Sequence, residues 1–146
     1  GLVRDTLLAL HHQRHLWGGL DPGTPGALAR LRAAGLRLGV ISNSDGRIEE
    51  ALAAAGILNQ FECVIDSQLV AVEKPDPRIF AIALGRMGLP PAEALYVGDI
   101  YEVDVVGARR ATLDVILFDP YGQHAGRDVR LAGSIAAVAE LVLGND

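Results

Sequence analysis

The sequence is poor in the residues and patterns that mark secreted scaffolds and membrane proteins. It has a single cysteine, Cys63, so an internal disulfide cannot form. No uninterrupted apolar run approaches the roughly 18 residues of a membrane helix, and no signal peptide is visible. These absences exclude a disulfide-bonded scaffold and predict no membrane association. They favour a protein of the reducing cytoplasm.

The sequence also has fewer basic than acidic residues. The 146 residues include 13 Lys and Arg against 18 Asp and Glu, for a formal net charge of −5 at pH 7. Nucleic acids and anionic membranes recruit proteins through basic surfaces, so neither is predicted as a partner. Half of the residues are hydrophobic and 21% are charged, which is typical of a folded globular chain. The length suits one domain with a core of its own.

Short apolar segments alternate with helical patterns along the chain. The apolar segments are predicted as strands at 36–41, 63–65, 94–97 and 115–118. Residues 2–16 are predicted as a helix, and further helices are predicted between the strands and after the last one. The strand runs are continuously apolar, which is typical of strands covered on both faces. The order predicts an α/β fold with an open, mostly parallel, doubly wound sheet and helices on both faces.

Ligands of such sheets gather at the carboxyl ends of the strands, so the polar residues that follow each strand are candidates for a site. Ser42 and Asn43 follow the first of the four predicted strands. Residues of these types commonly form turns and helix caps. A serine hydroxyl beside backbone N–H groups at a helix N-terminus can also hold an anion. This cluster alone leaves both interpretations open.

A second candidate is Lys74, which precedes Pro75, Asp76 and Pro77. Asp76 is a suitable helix cap, and the two prolines stiffen the segment. A lysine ahead of a helix is commonly a solvated side chain. The alternative interpretation is a fixed positive charge that neutralises a phosphate or a carboxylate.

The third candidate is the acidic run YVGDIYEVD, in which Asp99 follows a strand directly and Asp104 lies five residues on. A helix N-terminus favours acidic side chains, and this explains Glu102 and Asp104. It does not explain Asp99, which sits in the strand-to-helix turn behind a glycine. A hard cation such as Mg²⁺, which takes one or two carboxylates together with substrate phosphate and water, would explain it.

Three segments, taken in order, resemble a known family. GVISNSDGR, VEKPDPRIF and LYVGDIYEVDVVGAR resemble the second, third and fourth motifs of the haloacid dehalogenase-like (HAD) hydrolase superfamily, in its phosphatase-like branch. The resemblance covers about residues 20–120. It implies a HAD-like, Rossmann-like sheet and Mg²⁺-dependent hydrolysis of phosphate esters, with a small phosphorylated molecule as the partner.

The resemblance also implies a role for each candidate residue. Ser42 would bind the phosphoryl group, with Asn43 beside it. Lys74 would neutralise the phosphoryl group and the attacking carboxylate. Asp99 would be a ligand of Mg²⁺, and Asp104 would be a second ligand or would order the waters around the metal.

The first motif of the family is absent. It is a strand that ends in Asp-x-Asp, whose first Asp is the nucleophile and whose second is the general acid and base. No Asp-x-Asp occurs in this sequence, and the segment around Asp5 does not resemble the motif. Residues 2–17 instead resemble the end of the helical cap domain of the family. The domain prediction is therefore a cap remnant at 1–18 and a partial HAD-like core at 19–146.

The absent motif predicts a sheet that lacks its central first strand, between the strands that end at Ile41 and Val97. Such a gap leaves backbone groups unpaired, and the prediction is a homo-oligomer formed by strand exchange or edge pairing. The function prediction is a truncated hydrolase with little or no activity alone. The alternative is a non-enzymatic remnant that acts as a dimerising or anion-binding module. A different phosphate-linked α/β domain is a third possibility, although the acidic pair of a receiver domain and the Gly-x-Gly-x-x-Gly turn of a dinucleotide fold are both absent.

Overall fold

Six parallel strands form one open sheet in the computed structural model, which describes residues 7–10 and 22–144. The strands are β1 (Leu7–Leu10), β2 (Arg37–Ser42), β3 (Cys63–Asp66), β4 (Ala94–Gly98), β5 (Asp114–Phe118) and β6 (Arg130–Ala132). Their order across the sheet is β3-β2-β1-β4-β5-β6. All neighbouring pairs are parallel, so the carboxyl ends of all six strands lie along one edge.

Helices connect the strands. They are α1 (Thr24–Ala33), α2 (Ile48–Ala54), α3 (Ser67–Val70), α4 (Pro77–Met87), α5 (Val106–Arg110) and α6 (Ile135–Leu143), with a π-helical turn at Tyr101–Val105. The Asp76 side chain accepts the amide hydrogen of Arg78 and caps α4 as its sequence position predicts. No described helix combines the length and the apolar character that a bilayer crossing requires.

Apolar side chains cover both faces of the sheet. Residues of α1, α2 and α6 pack against one face, and residues of α4, α5 and the π-helical turn pack against the other. Strand β4 shows the alternation: Leu95 and Val97 belong to the first cluster, whereas Tyr96 belongs to the second. The predicted α/β sheet with helices on both faces is confirmed.

The prediction that the sheet lacks its central strand is wrong. Strand β1 lies between β2 and β4, and Leu10 is in register with both Val40 and Val97. The predicted helix at 2–16 is accordingly wrong at 7–10. Four apolar residues are too few for periodicity to separate a strand from a helix. Pairing on both sides satisfies backbone groups of β2 and β4 that would otherwise be buried without partners, and this decides the conformation.

The remaining residues of the predicted cap remnant, 1–6 and 11–18, lie outside the described residues, so that domain boundary stays a prediction. The homo-oligomer also stays a prediction. Its premise was an open gap in the middle of the sheet, and β1 fills that gap. The short edge strand β6 was not predicted.

Candidate functional site

The candidate residues meet at the carboxyl edge of the sheet, on both sides of β1. Strand β2 ends at Ser42 and strand β4 ends at Gly98, followed by Asp99. Because β2 and β4 are the two neighbours of β1, the residues that end them flank the carboxyl end of the central strand. This is the position at which doubly wound sheets bind their ligands.

Ser42 supplies a buried hydroxyl. The residue is 0% exposed, and its Oγ has no hydrogen-bond partner within the described part of the chain. A buried hydroxyl without a partner is costly unless a bound molecule, an ion or water accepts its hydrogen bond. The Ser42 hydroxyl is therefore available to a bound molecule.

Asn43 holds the backbone of Lys74. Its Nδ2 donates to the Lys74 carbonyl oxygen at 3.0 Å, and its Oδ1 accepts the Lys74 amide hydrogen at 2.9 Å. Both ends of the Asn43 side-chain amide are thus engaged with one residue. Asn43 therefore positions Lys74 next to the end of β2, and its predicted place beside the phosphoryl group stays a prediction.

The Lys74 ammonium is fully enclosed. Its Nζ donates to Asp104 Oδ1 at 2.8 Å, to Tyr96 Oη at 2.7 Å and to the Ile41 carbonyl oxygen at 3.2 Å. Both side chains of the Lys74–Asp104 pair are 0% exposed. Burial lowers the pKa of the Lys74 ammonium, and the neighbouring carboxylates of Asp104 and Asp99 oppose that shift.

Asp104 is bonded through both of its carboxylate oxygens. Oδ1 faces Lys74, and Oδ2 accepts the amide hydrogens of Asp99 and Ile100 at 3.0 Å each. Asp104 therefore serves as the counter-ion of Lys74 and fixes the backbone that carries the Asp99 side chain. Its role as a metal ligand, or as a residue that orders the waters around the metal, stays a prediction.

Two further polar side chains, those of Tyr96 and Asp66, support the candidate site and were not predicted from the sequence. Tyr96 reads as an apolar strand residue, but its hydroxyl contacts Lys74, Asp104 and the Ile41 carbonyl. Burial raises the pKa of the Tyr96 phenol well above its ordinary value, with Asp104 adding to the shift, so the hydroxyl keeps its proton.

Asp66 is the second missed residue, and it organises the loop after β2. It is 2% exposed, at the end of β3, and its carboxylate accepts four hydrogen bonds. The donors are Ser44 Oγ and the amides of Gly46, Ile48 and Gln68, at 3.0 to 3.2 Å. An acid at the end of a buried strand is a signal that could have identified it.

The described residues do not form a metal centre by themselves. No group of three or more His, Cys, Asp or Glu side chains in 7–10 and 22–144 is arranged to hold a metal ion. Asp99 is half-buried at the mouth of the site, beside the occupied carboxylate of Asp104. Its role as a ligand of Mg²⁺ stays a prediction.

Comparisons with known proteins identify the family of the chain. A family model of haloacid dehalogenase-like hydrolases matches residues 4–112. The chain is 42% identical over 107 residues to haloacid dehalogenase-like hydrolase domain-containing protein 3 of Mus musculus, covering 73% of the chain and 42% of that relative. It is 40% identical over 108 residues to glyceraldehyde 3-phosphate phosphatase of Methanothermobacter thermautotrophicus, covering 73% of the chain and 48% of the relative.

Solved structures extend the comparison to the fold. The crystal structure of a HAD phosphatase from Thermococcus onnurineus superposes with a TM-score of 0.79 at 28% sequence identity, over 85% of this chain and 58% of that one. The chain spans less than half the length of the two curated relatives. The match covers the sheet through β4 and the helix that follows it, with all five predicted site residues. The chain belongs to the haloacid dehalogenase-like hydrolases.

Proposed function

We propose that the chain carries the phosphate-binding part of a phosphate-ester hydrolase site, with Ser42 and Lys74 as its anion contacts. The observation that carries the proposal is the Ser42 hydroxyl, buried without a partner in the described chain, next to the buried Lys74–Asp104 pair. The Lys74 ammonium contacts the carbonyl of Ile41, the residue before Ser42, so the positive charge lies beside the end of β2 that carries the hydroxyl. A phosphate oxygen accepts strongly from both kinds of donor.

The partner is a small phosphorylated molecule. Two curated relatives are named glyceraldehyde 3-phosphate phosphatase and phosphoserine phosphatase, and both names describe enzymes that act on phosphate esters of small molecules. The chain has a net charge of −5, so attraction of an anion depends on local groups such as Lys74 and not on the charge of the whole chain.

We propose that Mg²⁺ binds together with the phosphate. The described residues fit one part of a magnesium site, because Asp99 carries a carboxylate directly after β4 and Asp104 holds the backbone amide of Asp99. Mg²⁺ commonly uses one or two protein carboxylates and completes its shell with phosphate oxygens and water. Asp99 would be that protein ligand, and the ion would screen the negative charge of the phosphate.

The covalent step of the family lacks its nucleophile here. The resemblance requires an acid directly after the first strand, and the sequence after Leu10 reads His11, His12, Gln13 and Arg14. We therefore propose binding of phosphate esters with little or no turnover by this chain alone. This observation favours the anion-binding module over an active hydrolase as the present role of these residues.

Two measurements on the full chain test the proposal. Inorganic phosphate binding is measured by calorimetry with and without Mg²⁺, and turnover is measured with a generic aryl phosphate. We expect binding in the wild type, at least tenfold weaker binding in Ser42→Ala and Lys74→Met, and a Mg²⁺ enhancement that Asp99→Asn removes. Turnover lost in Asp99→Asn would show an active hydrolase and contradict the binding-only role. Absence of phosphate binding would overturn the proposal itself.

A further inference from the structure

The enclosure of Lys74 raises a question about how its charge reaches a bound phosphate. An ammonium has three N–H donors, and the described residues offer three acceptors to it: Asp104 Oδ1, Tyr96 Oη and the Ile41 carbonyl. A phosphate oxygen can therefore receive a full hydrogen bond from Lys74 only when one of these contacts is released. The free-energy cost of phosphate binding therefore depends on which contact is released.

The contact with Ile41 is the one to release. It is the longest of the three, at 3.2 Å, against 2.7 Å to Tyr96 and 2.8 Å to Asp104. The bond to Asp104 also joins two buried charges and would be the costliest to break. Ile41 directly precedes Ser42, so the contact that is released lies at the same strand end as the hydroxyl of the proposed anion site.

Release alone would remove a donor from a buried carbonyl. The Tyr96 hydroxyl can replace it, because Tyr96 Oη lies 3.2 Å from the Ile41 carbonyl oxygen and 3.3 Å from Asp104 Oδ1. Its single hydrogen can serve either acceptor by rotating about the C–O bond. The Tyr96 oxygen continues to accept from Lys74 during this rotation.

The ring of Tyr96 is held so that only the hydroxyl hydrogen moves. Tyr96 is 0% exposed, and its ring packs edge-on against Phe80 with centroids 5.0 Å apart and an interplanar angle of 86°. We propose that Tyr96 is a positioning residue for phosphate binding: its hydroxyl takes over the Ile41 carbonyl when Lys74 turns one N–H to the phosphate. This inference rests on the proposed function.

The test uses inorganic phosphate and the full chain. Tyr96→Phe removes the hydroxyl and keeps the ring. Tyr101→Phe makes the same chemical change five residues away, where the hydroxyl contacts Asp128 and Arg109 rather than Lys74. We expect the dissociation constant to rise about five- to tenfold in Tyr96→Phe, the usual effect of one hydrogen bond, and to stay within twofold of the wild type in Tyr101→Phe.

Lys74 is the only lysine of the sequence, so ¹⁵N-lysine labelling yields one side-chain ammonium signal to follow by NMR. We expect phosphate to shift this signal in the wild type and in Tyr101→Phe, and to shift it less at saturation in Tyr96→Phe. A purely structural role of Tyr96 would lower the unfolding free energy and leave the phosphate-induced shift unchanged. If Tyr96→Phe does not fold, the phosphate dependence of the Lys74 signal in the wild type decides alone, since an unmoved signal at saturation overturns the exchange.

Two outcomes separate this inference from the proposed function. Unchanged phosphate affinity in Tyr96→Phe, together with weakened affinity in Lys74→Met and Ser42→Ala, would overturn the role of Tyr96 and leave the binding site in place. Unchanged affinity in all three variants would overturn both the site and the exchange.

Discussion

A β-carbon added to Gly98 would lie 2.3 Å from both Cβ and Cγ of Asp104, far inside van der Waals contact. The glycine at the end of β4 is therefore required for space, so that Asp104 can turn back over the strand end. In that position Asp104 reaches Lys74 and the amide of Asp99. Gly98→Ala forces either the backbone or the carboxylate to move.

We expect Gly98→Ala to lower the free energy of unfolding by about 1–3 kcal/mol, the usual range for overpacking a buried site. The measurement is urea denaturation followed by circular dichroism. Gly85→Ala is the matched control, because a β-carbon on Gly85 meets nothing within 4 Å and the residue lies inside α4. That change should raise the unfolding free energy by about 0.5–1 kcal/mol. Equal effects of the two substitutions would contradict the spatial argument.

The buried pair of Lys74 and Asp104 leads to a second prediction. Lys74→Met leaves the Asp104 carboxylate buried without its counter-ion, and breaking a buried pair in this way typically costs about 3–5 kcal/mol. We expect a loss of that size for Lys74→Met and for Asp104→Asn, and a double variant that loses less than the sum of the two. Urea denaturation of the wild type, the two single variants and the double variant gives the double-mutant cycle.

The exposed pair of Arg30 and Glu140 is the control for that cycle. Its N–O distance is 3.1 Å, but the two side chains are 51% and 65% exposed. Glu140→Gln should change the unfolding free energy by less than about 1 kcal/mol. A Lys74→Met variant as mildly affected as Glu140→Gln would show that the Lys74–Asp104 pair is not buried in solution.

Sequence order allowed the location of the site to be predicted because parallel strands end at one edge of a sheet. Ser42 and Asp99 lie where that rule places them, and Lys74 and Asp104, which are 30 residues apart, meet at 2.8 Å. The sequence pattern could not predict the side-chain contacts within the site. Tyr96 is a strand residue by every local criterion, and only the packing of α4 and the π-helical turn directs its hydroxyl to Lys74.

The central strand escaped prediction for a different reason. Leu7–Leu10 is too short for its own sequence to choose between helix and strand, and its conformation depends on the two strands beside it. Non-local pairing likewise defines β6, which has three residues and pairs only with β5. Strand β1 occupies the central position between β2 and β4 although its sequence contains no acidic residue.

Cys63 leads to a prediction about pH. The residue is 7% exposed, and burial raises the pKa of its thiol. We expect the folded chain to react with a disulfide reagent at pH 8 at least tenfold more slowly than the chain in urea. Because the folded pKa exceeds the unfolded value of about 8.5, the thiol's contribution to stability is constant below that pH and is lost as the pH rises above it.

The control for this pH effect is Cys63→Ala. Other groups also titrate in alkali, so the quantity to compare is the change in unfolding free energy between pH 8 and pH 10 in the two chains. The wild type should lose more stability than Cys63→Ala over this interval. Equal losses would show that the thiol titrates with an ordinary pKa in the folded chain.

The placement of β1 leads to the last prediction, which hydrogen exchange tests. Successive amides of a central strand bond alternately to the strands on its two sides. They exchange with solvent only when much of the sheet opens. We expect the amides of Leu8, Ala9 and Leu10 to exchange as slowly as those of β2 and β4. Exchange within minutes would mean that this segment does not complete the sheet. Light scattering on the same sample tests the predicted homo-oligomer. A monomer with protected β1 amides would refute strand exchange between copies, because each chain then fills its own sheet.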